Sequence, residues 1–202
     1  MTFEQILLDR LNGFVPITGA QASALRDHYE LLVRWNARIN LTAIRTMEEA
    51  VVRHYCESLF LGAKLDAASE STVFDLGSGA GFPGIPLAVL RSDWRVALIE
   101  SHKRKAVFLR EAARAHSNIT VIDQRVEDVN SRCDWLVSRA VRPADVLEQA
   151  KRLSRGVGLL IGGMDLKECL AAGNIVWNDP VKLPWGEHTF VLTGNVPRGT
   201  LF

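Results

Sequence analysis

An α/β fold, built on a mainly parallel sheet and preceded by a helical extension, is predicted by three observations. From Val73 onward, short apolar runs rich in β-branched residues alternate with segments of helical periodicity. The first of those runs enters a loop holding Gly77, Gly79, Gly81 and Gly84, and a helical pattern follows at once. Before that point, residues 1–65 repeat apolar side chains at helical intervals.

Taken in order, Thr18 with Gln21 and Thr46 with Glu49 have the spacing of capping boxes. After them, Ala22, Leu25, Tyr29 and Leu32, then Val51, Val52, Tyr55 and Leu59, mark two amphipathic helices. Residues 35–42 between them read as a polar connection with an aromatic anchor, Trp35. Residues 66–72 are small and polar, which puts a boundary between a helical segment, 1–65, and an α/β domain, 66–202. Strands are expected at 73–76, 95–100, 119–122, 135–137 and 157–161, and helices at 85–90, 103–116, 143–153 and 166–171. Pro86 is compatible with its helix because it falls in the first turn. Residues 174–193 read as two β segments joined through Pro184-Trp185-Gly186. Parallel strands closed by an antiparallel pair form the Rossmann-like sheet of S-adenosylmethionine-dependent methyltransferases.

Composition narrows the options. The chain has 202 residues, enough for one α/β core with a small addition. No basic start, long apolar core and cleavage site open the sequence, and no apolar run reaches membrane-spanning length, so a cytoplasmic protein without a membrane partner is expected. Cys56, Cys133 and Cys169 are odd in number and widely spaced, which argues against a disulfide framework and against a metal site. A formal net charge of +1 means that any nucleic-acid contact comes from local patches.

The glycine loop is the strongest chemical signal. Bare backbone lets a ligand approach closely, and amides at the start of the following helix favour a polar or anionic group. Gly79, Gly81 and Gly84 formally fit a dinucleotide fingerprint. Asp75 before the first glycine, with Pro83 and Pro86 on the helix side, points instead to S-adenosylmethionine. Glu100 ends the second strand on the same rim, where an acid accepts ribose hydroxyls. Arg125, Val126, Glu127 and Asp128 follow the third strand, where a backbone amide and one of the two acids would meet adenine; the spacing does not choose between them. At the fourth strand, Ser138-Arg139-Ala140 stands where amine methyltransferases carry an Asn- or Asp-Pro-Pro-aromatic motif. A nucleophile with a lone pair and no proton, such as guanine N7, needs no base, and catalysis then reduces to positioning. Arg139 is the candidate for orienting cofactor or substrate. His102, Lys103, Arg104 and Lys105 form a basic run, with Arg110 and Arg114 beyond it, and Arg45, Arg53 and His54 are candidates for an opposite wall. Each has a plain structural reading too, as a turn, a cap or a solvated helix face.

The blocks WNARINLTAIR, VVRHYCESL, DLGSGAGFPGIPLAV, ESHKRKAVFLRE, QRVED and VSRAV, in this order, resemble the small-subunit ribosomal RNA guanine-N7 methyltransferases, the RsmG or glucose-inhibited division protein B family. The resemblance implies methyl transfer from S-adenosylmethionine to N7 of a guanine in the 530 loop of 16S rRNA; a monomer acting on the RNA or on a small ribosomal subunit particle is expected. It also implies cofactor contacts at Gly77, Phe82, Val126, Glu127 and Arg139, beside Asp75, Gly79, Gly81 and Glu100. RNA contacts are expected from Arg53, His54, Lys103, Arg104, Lys105 and Arg125. Three positions depart from the family pattern: Glu57 replaces an Asp, Gly162 stands where a Lys is usual, and His188 stands for an Arg. Two other functions fit parts of the pattern, a non-catalytic ribosome-assembly factor on the same scaffold and a nicotinamide-dependent oxidoreductase.

Overall fold

The computed structural model describes residues 1–197. Helix α1, Phe3–Leu11, and helix α2, Gly19–Asn36, open the chain. Both begin with reciprocal caps, Thr2 with Gln5 and Thr18 with Gln21, each hydroxyl accepting from the N3 amide at 3.2 Å. At Thr46 only half of the predicted box forms, because Glu49 turns to Arg53 instead. Helix α3, Met47–Ala50, runs through a π-helical stretch, Val51–Cys56, into α4, Glu57–Lys64. Such widened turns concentrate at functional sites, and this one carries Arg53 and His54. The expected loop at 35–42 starts two residues later, since α2 includes Trp35 and Asn36. Asn36 then pins the loop: its Oδ1 accepts from the amides of Leu41 and Thr42, and its Nδ2 donates to the Thr42 carbonyl.

Strands and helices then alternate: β1, Thr72–Leu76; α5, Gly84–Leu90; β2, Arg95–Ile99; α6, Lys103–Ala112; β3, Ile119–Ile122; β4, Trp135–Arg139; α7, Pro143–Leu153; β5, Gly156–Gly162; α8, Gly163–Ala171. The tail adds β6, Val176–Trp177, β7, Val181–Lys182, and β8, Thr189–Asn195. The sheet order is β3-β2-β1-β4-β5-β8-β6, with β7 also on β8. The first five strands are parallel, and β8 runs antiparallel to β5 over seven pairs, from Gly156 with Asn195 to Gly162 with Thr189. The tail differs from the two-segment expectation because Pro180, which lacks an N–H, separates β6 from β7.

Successive strand residues face opposite sides, so the sheet buries two apolar layers. Val73, Val96, Leu98, Val137 and Leu160 share one cluster with Leu25, Leu32, Tyr55 and Leu59 of the helical segment. Phe74, Leu76, Leu136 and Leu159 share the other with Val146, Leu147 and Ala150 of α7. One core therefore runs across the expected boundary at 65/66. Gly158 of β5 permits that approach, since a Cβ there would fall 2.6 Å from Leu65. All three cysteines are buried and free. Among the described residues no helix is long and apolar enough to cross a membrane.

Candidate functional site

A cleft of about 250 Å³ opens at the carboxyl ends of β1, β2 and β3, walled on the far side by the start of α7. Its lining includes Gly77, Glu100, Arg125, Val126 and Glu127, all expected, together with Ser101, Val141, Asp145, Glu148 and Gln149. Glu127 lines it, and Asp128 is not among its lining residues. The α7 residues escaped the sequence reading because their only signal is that the helix follows the fourth strand on the same rim. Glu100, Glu127, Asp145 and Glu148 against Arg125 make the cleft acidic, although Asp145 is paired to Arg142 at 2.9 Å.

The loop above it is held from within. Gly77, Gly79 and Gly81 have φ of 71°, 56° and 88°, the left-handed region that side chains disfavour. The amides of Gly77 and Ser78 both donate to the Ile99 carbonyl, at 3.0 and 3.1 Å. The Gly79 amide donates to Glu100 Oε2 at 2.9 Å, and Glu100 Oε1 accepts from the His102 amide at 2.7 Å. Glu100 thus braces the loop, and each of its oxygens keeps a further acceptor position for a ligand.

Asp75 departs from expectation. It is fully buried beneath the loop, and its Oδ2 accepts from the Gly84 amide at 2.9 Å. The carboxyl therefore caps α5 from the strand and does not reach the cleft. The amides expected to face a ligand at the helix start are likewise spent inside, Gly84 on Asp75 and Ile85 on the Gly81 carbonyl. Burial pushes the Asp75 carboxyl up to about 7, against the opposing bonds from Gly84 and Ser78. A Cβ on Gly84 would lie 2.7 Å from Asp75 Oδ2, so bare backbone is required there.

Arg139 and His54 are also placed differently. Arg139 leaves the end of β4 toward the π-helical stretch, where it pairs with Glu57 at 3.2 Å and donates to the Arg53 carbonyl and to His54 Nδ1 at 3.0 Å. An arginine only donates, so His54 Nδ1 accepts and its proton sits on Nε2, which donates to Thr42 Oγ1 at 2.8 Å. Burial, then the positive charges of Arg139 and Arg53, bring the His54 imidazole down to about 3. His54 is hence a neutral link, not the cation assumed for an RNA wall. Glu57, one atom longer than the usual Asp, is the buried counter-ion of Arg139. Phe82 turns away from the loop: its ring is buried, stacks on His54 at 4.5 Å and meets Tyr55 and His28 edge-on. Packing between the two halves of the chain is its observed role.

The basic run is partly neutralised. Asp123 draws Lys103 to 3.0 Å and Arg110 to 2.8 Å, whereas Arg104 and Lys105 have no carboxylate partner among the described residues. Arg53 is exposed and holds Glu49 only loosely, at 3.5 Å. At position 162 nothing lies closer than the His188 carbonyl at 4.0 Å, so the glycine there is not required by space.

These groups set an acid limit on stability. Burial brings the His28 imidazole, too, down to about 3. Below the ordinary imidazole value near 6.5 the unfolded chain takes up two protons that the native His28 and His54 refuse. Asp75 acts in the opposite sense, since the native carboxyl holds a proton up to about 7 that the unfolded chain has released above 3.8. Between about pH 4.5 and 6 these three groups together bind one more proton in the unfolded chain, so their share of stability falls on acidification by about 1.4 kcal/mol per pH unit. Urea unfolding at pH 6 and pH 5 checks this; a midpoint that stays level or rises contradicts it.

Comparison with known proteins places the geometry. Residues 21–176 match the GidB family model, described as rRNA small subunit methyltransferase G. The chain is 40% identical over 147 residues to ribosomal RNA small subunit methyltransferase G of Nitrosomonas europaea, covering 69% of this chain and 67% of that protein. The protein of the same name from Burkholderia ambifaria is 36% identical over 160 residues, covering 74% and 70%. Among solved structures, a putative RNA methyltransferase of Pyrococcus horikoshii superposes with a TM-score of 0.59 at 16% identity, over 84% of this chain and 97% of that one. Precorrin-6y C5,15-methyltransferase of Geobacter metallireducens does so with a TM-score of 0.55 at 13% identity, over 69% and 87%. At these identities the two structures speak for the fold alone.

Proposed function

Because this chain belongs to the rRNA small subunit methyltransferase G family, we propose that it transfers a methyl group from S-adenosylmethionine to N7 of a guanine in the 530 loop of 16S rRNA. The enzyme is an S-adenosylmethionine-dependent rRNA methyltransferase. The observation that carries the finer reading is the end of β4, where the chain presents a guanidinium, a donor only, committed to Glu57 and His54. Of the residues at that strand end, Ser138 donates to the Leu76 carbonyl and Arg139 only donates, so neither serves as a base, which suits a ring nitrogen that has no proton to lose.

The acidic cleft fits the cofactor. The carboxylates of its lining would suit a cofactor that carries positive charge, Glu127 would face the adenine as the sequence reading has it, and Glu100 has acceptor positions left that would take ribose hydroxyls. When bound, S-adenosylmethionine supplies an electrophilic methyl carbon. Gly77, Glu100, Val126 and Glu127 hold it directly in this reading. Gly79, Gly81 and Asp75 act through the shape of the loop, and Phe82 and Arg139 by locking the helical segment to the rim. Arg53, Arg104, Lys105 and Arg125 grip RNA phosphates, while Lys103 serves Asp123. The helical segment, 1–65, provides the substrate side and residues 66–202 the cofactor side, with a monomer working in the cytoplasm on rRNA or on an assembling small subunit.

Mapping of modified guanines in 16S rRNA tests this. A strain lacking the gene is expected to lose one N7-methylguanosine in the 530 loop, and the purified enzyme with cofactor to restore it. A methyl group on an exocyclic amine overturns the N7 reading. Unchanged methylation with defective particles would favour an assembly role instead.

A further inference from the structure

A larger cleft, of about 470 Å³, lies at the opposite end of the sheet, where β1, β4 and β5 begin. Arg132, Lys151, Arg152 and Arg155 line it, with Asp134 as the one carboxylate in the lining. The chain as a whole carries only +1, so this concavity concentrates positive charge far beyond the average surface.

Asp134 does not cancel that charge. Its Oδ2 accepts from the Thr72 amide at 2.9 Å, and Arg155 stands 3.9 Å from its other oxygen. Arg132 and Lys151 are exposed, with no carboxylate partner among the described residues. The floor is fixed by main-chain bonds, Cys133 to the Leu153 carbonyl at 2.8 Å, Asp134 to that of Thr72 at 2.9 Å and Val196 to that of Arg155 at 2.8 Å. Cations gathered around one rigid floor repel one another, and a polyanion relieves that repulsion. Arg152 adds a mechanical link. Its guanidinium donates to the carbonyls of Val129 and Val126, at 2.5 and 2.6 Å, and so ties this cleft to the turn that lines the cofactor cleft.

We propose that this cleft is a second RNA site, which takes backbone phosphates of the small-subunit rRNA at a distance from the target base. The inference rests on the rRNA reading given above. Thr72 lines this cleft and Leu76 the cofactor cleft, so the two sites sit roughly 13 Å apart along one strand. A folded RNA domain can touch both at once. A di- or trinucleotide carrying the target base reaches only one.

The triple variant Arg132→Gln, Lys151→Gln, Arg155→Gln tests the site and leaves Arg152 in place. Binding to whole 16S rRNA is expected to weaken about tenfold or more, with a plot of log affinity against log salt shallower by about 2 to 3. Affinity for such a di- or trinucleotide and for S-adenosylhomocysteine should stay at the wild-type level, as should the melting temperature. Charge reversal to Glu at the same three positions should enlarge the loss. An unchanged salt slope on 16S rRNA overturns the proposal, and so does a loss confined to the assembled particle, which would mean an acidic protein surface. Binding is measured without methyl transfer: a wild-type chain that binds rRNA but does not methylate it rejects the function above, while the variant's slope still decides this site.

Discussion

Arg139→Ala should destabilise the protein by about 3–5 kcal/mol, the usual consequence of leaving one member of a buried ion pair alone. Arg139 is 17% exposed and Glu57 6%, so solvent screens the pair little. The truncation leaves the Glu57 carboxylate without a counter-ion and His54 Nδ1 without its donor. Since His54 also anchors Thr42 and stacks on Phe82, the loss should spread to the loop after α2 and take methyl transfer with it. Adding Glu57→Gln to the first substitution should recover part of the stability, because the stranded charge is gone. Arg139→Lys should remain well below wild type, since an ammonium does not reproduce the planar fork that reaches Glu57, His54 and the Arg53 carbonyl together. Urea denaturation of the three variants reads this out. An Arg139→Ala protein that unfolds at the wild-type midpoint would mean that the network holds nothing.

The second large effect is at Asp75. Asp75→Ala strands the Gly84 amide in a buried place, a cost of about 1–3 kcal/mol, and frees the start of α5 from the strand. As the loop geometry depends on that link, affinity for S-adenosylhomocysteine is expected to fall by roughly tenfold to a hundredfold. Asp75→Asn separates shape from charge. With its carboxyl pushed up to about 7 by burial, Asp75 is only about half ionised near pH 7, so the amide removes only part of a charge and its oxygen still accepts from Gly84. The Asn variant should therefore bind much more tightly than the Ala variant. Calorimetric titration distinguishes the two, and equal weakening in both would mean that Asp75 acts as an anion after all.

The strand and helix pattern was legible because each element carries its own periodicity: β3 and α7 lie where residues 119–122 and 143–153 put them. The rim was legible for the same reason, since position at a strand end is a sequence property, and Gly77, Glu100, Val126 and Glu127 all line the cleft. What remained hidden is the direction of side chains between elements distant in sequence. Arg139 and Glu57 are separated by most of the first strand–helix repeats, and nothing in either local pattern announces that they meet. Asp75 reads as a ligand contact from its place before the glycines, yet strand alternation turns it under the loop. His54 reads as a basic residue by type, and only its burial and its arginine neighbour make it neutral. The second basic cleft was invisible for a related reason, as Arg132 comes from a loop, Lys151 from a helix and Arg155 from a strand entry.

The apolar layer that Leu25, Leu32, Tyr55 and Leu59 share with the sheet limits how such an enzyme can diversify. The helical segment cannot be exchanged like a cassette, because the side chains that build it also seal the centre of the molecule. New specificity has to be written residue by residue on outward-facing positions, with the interior left as it is.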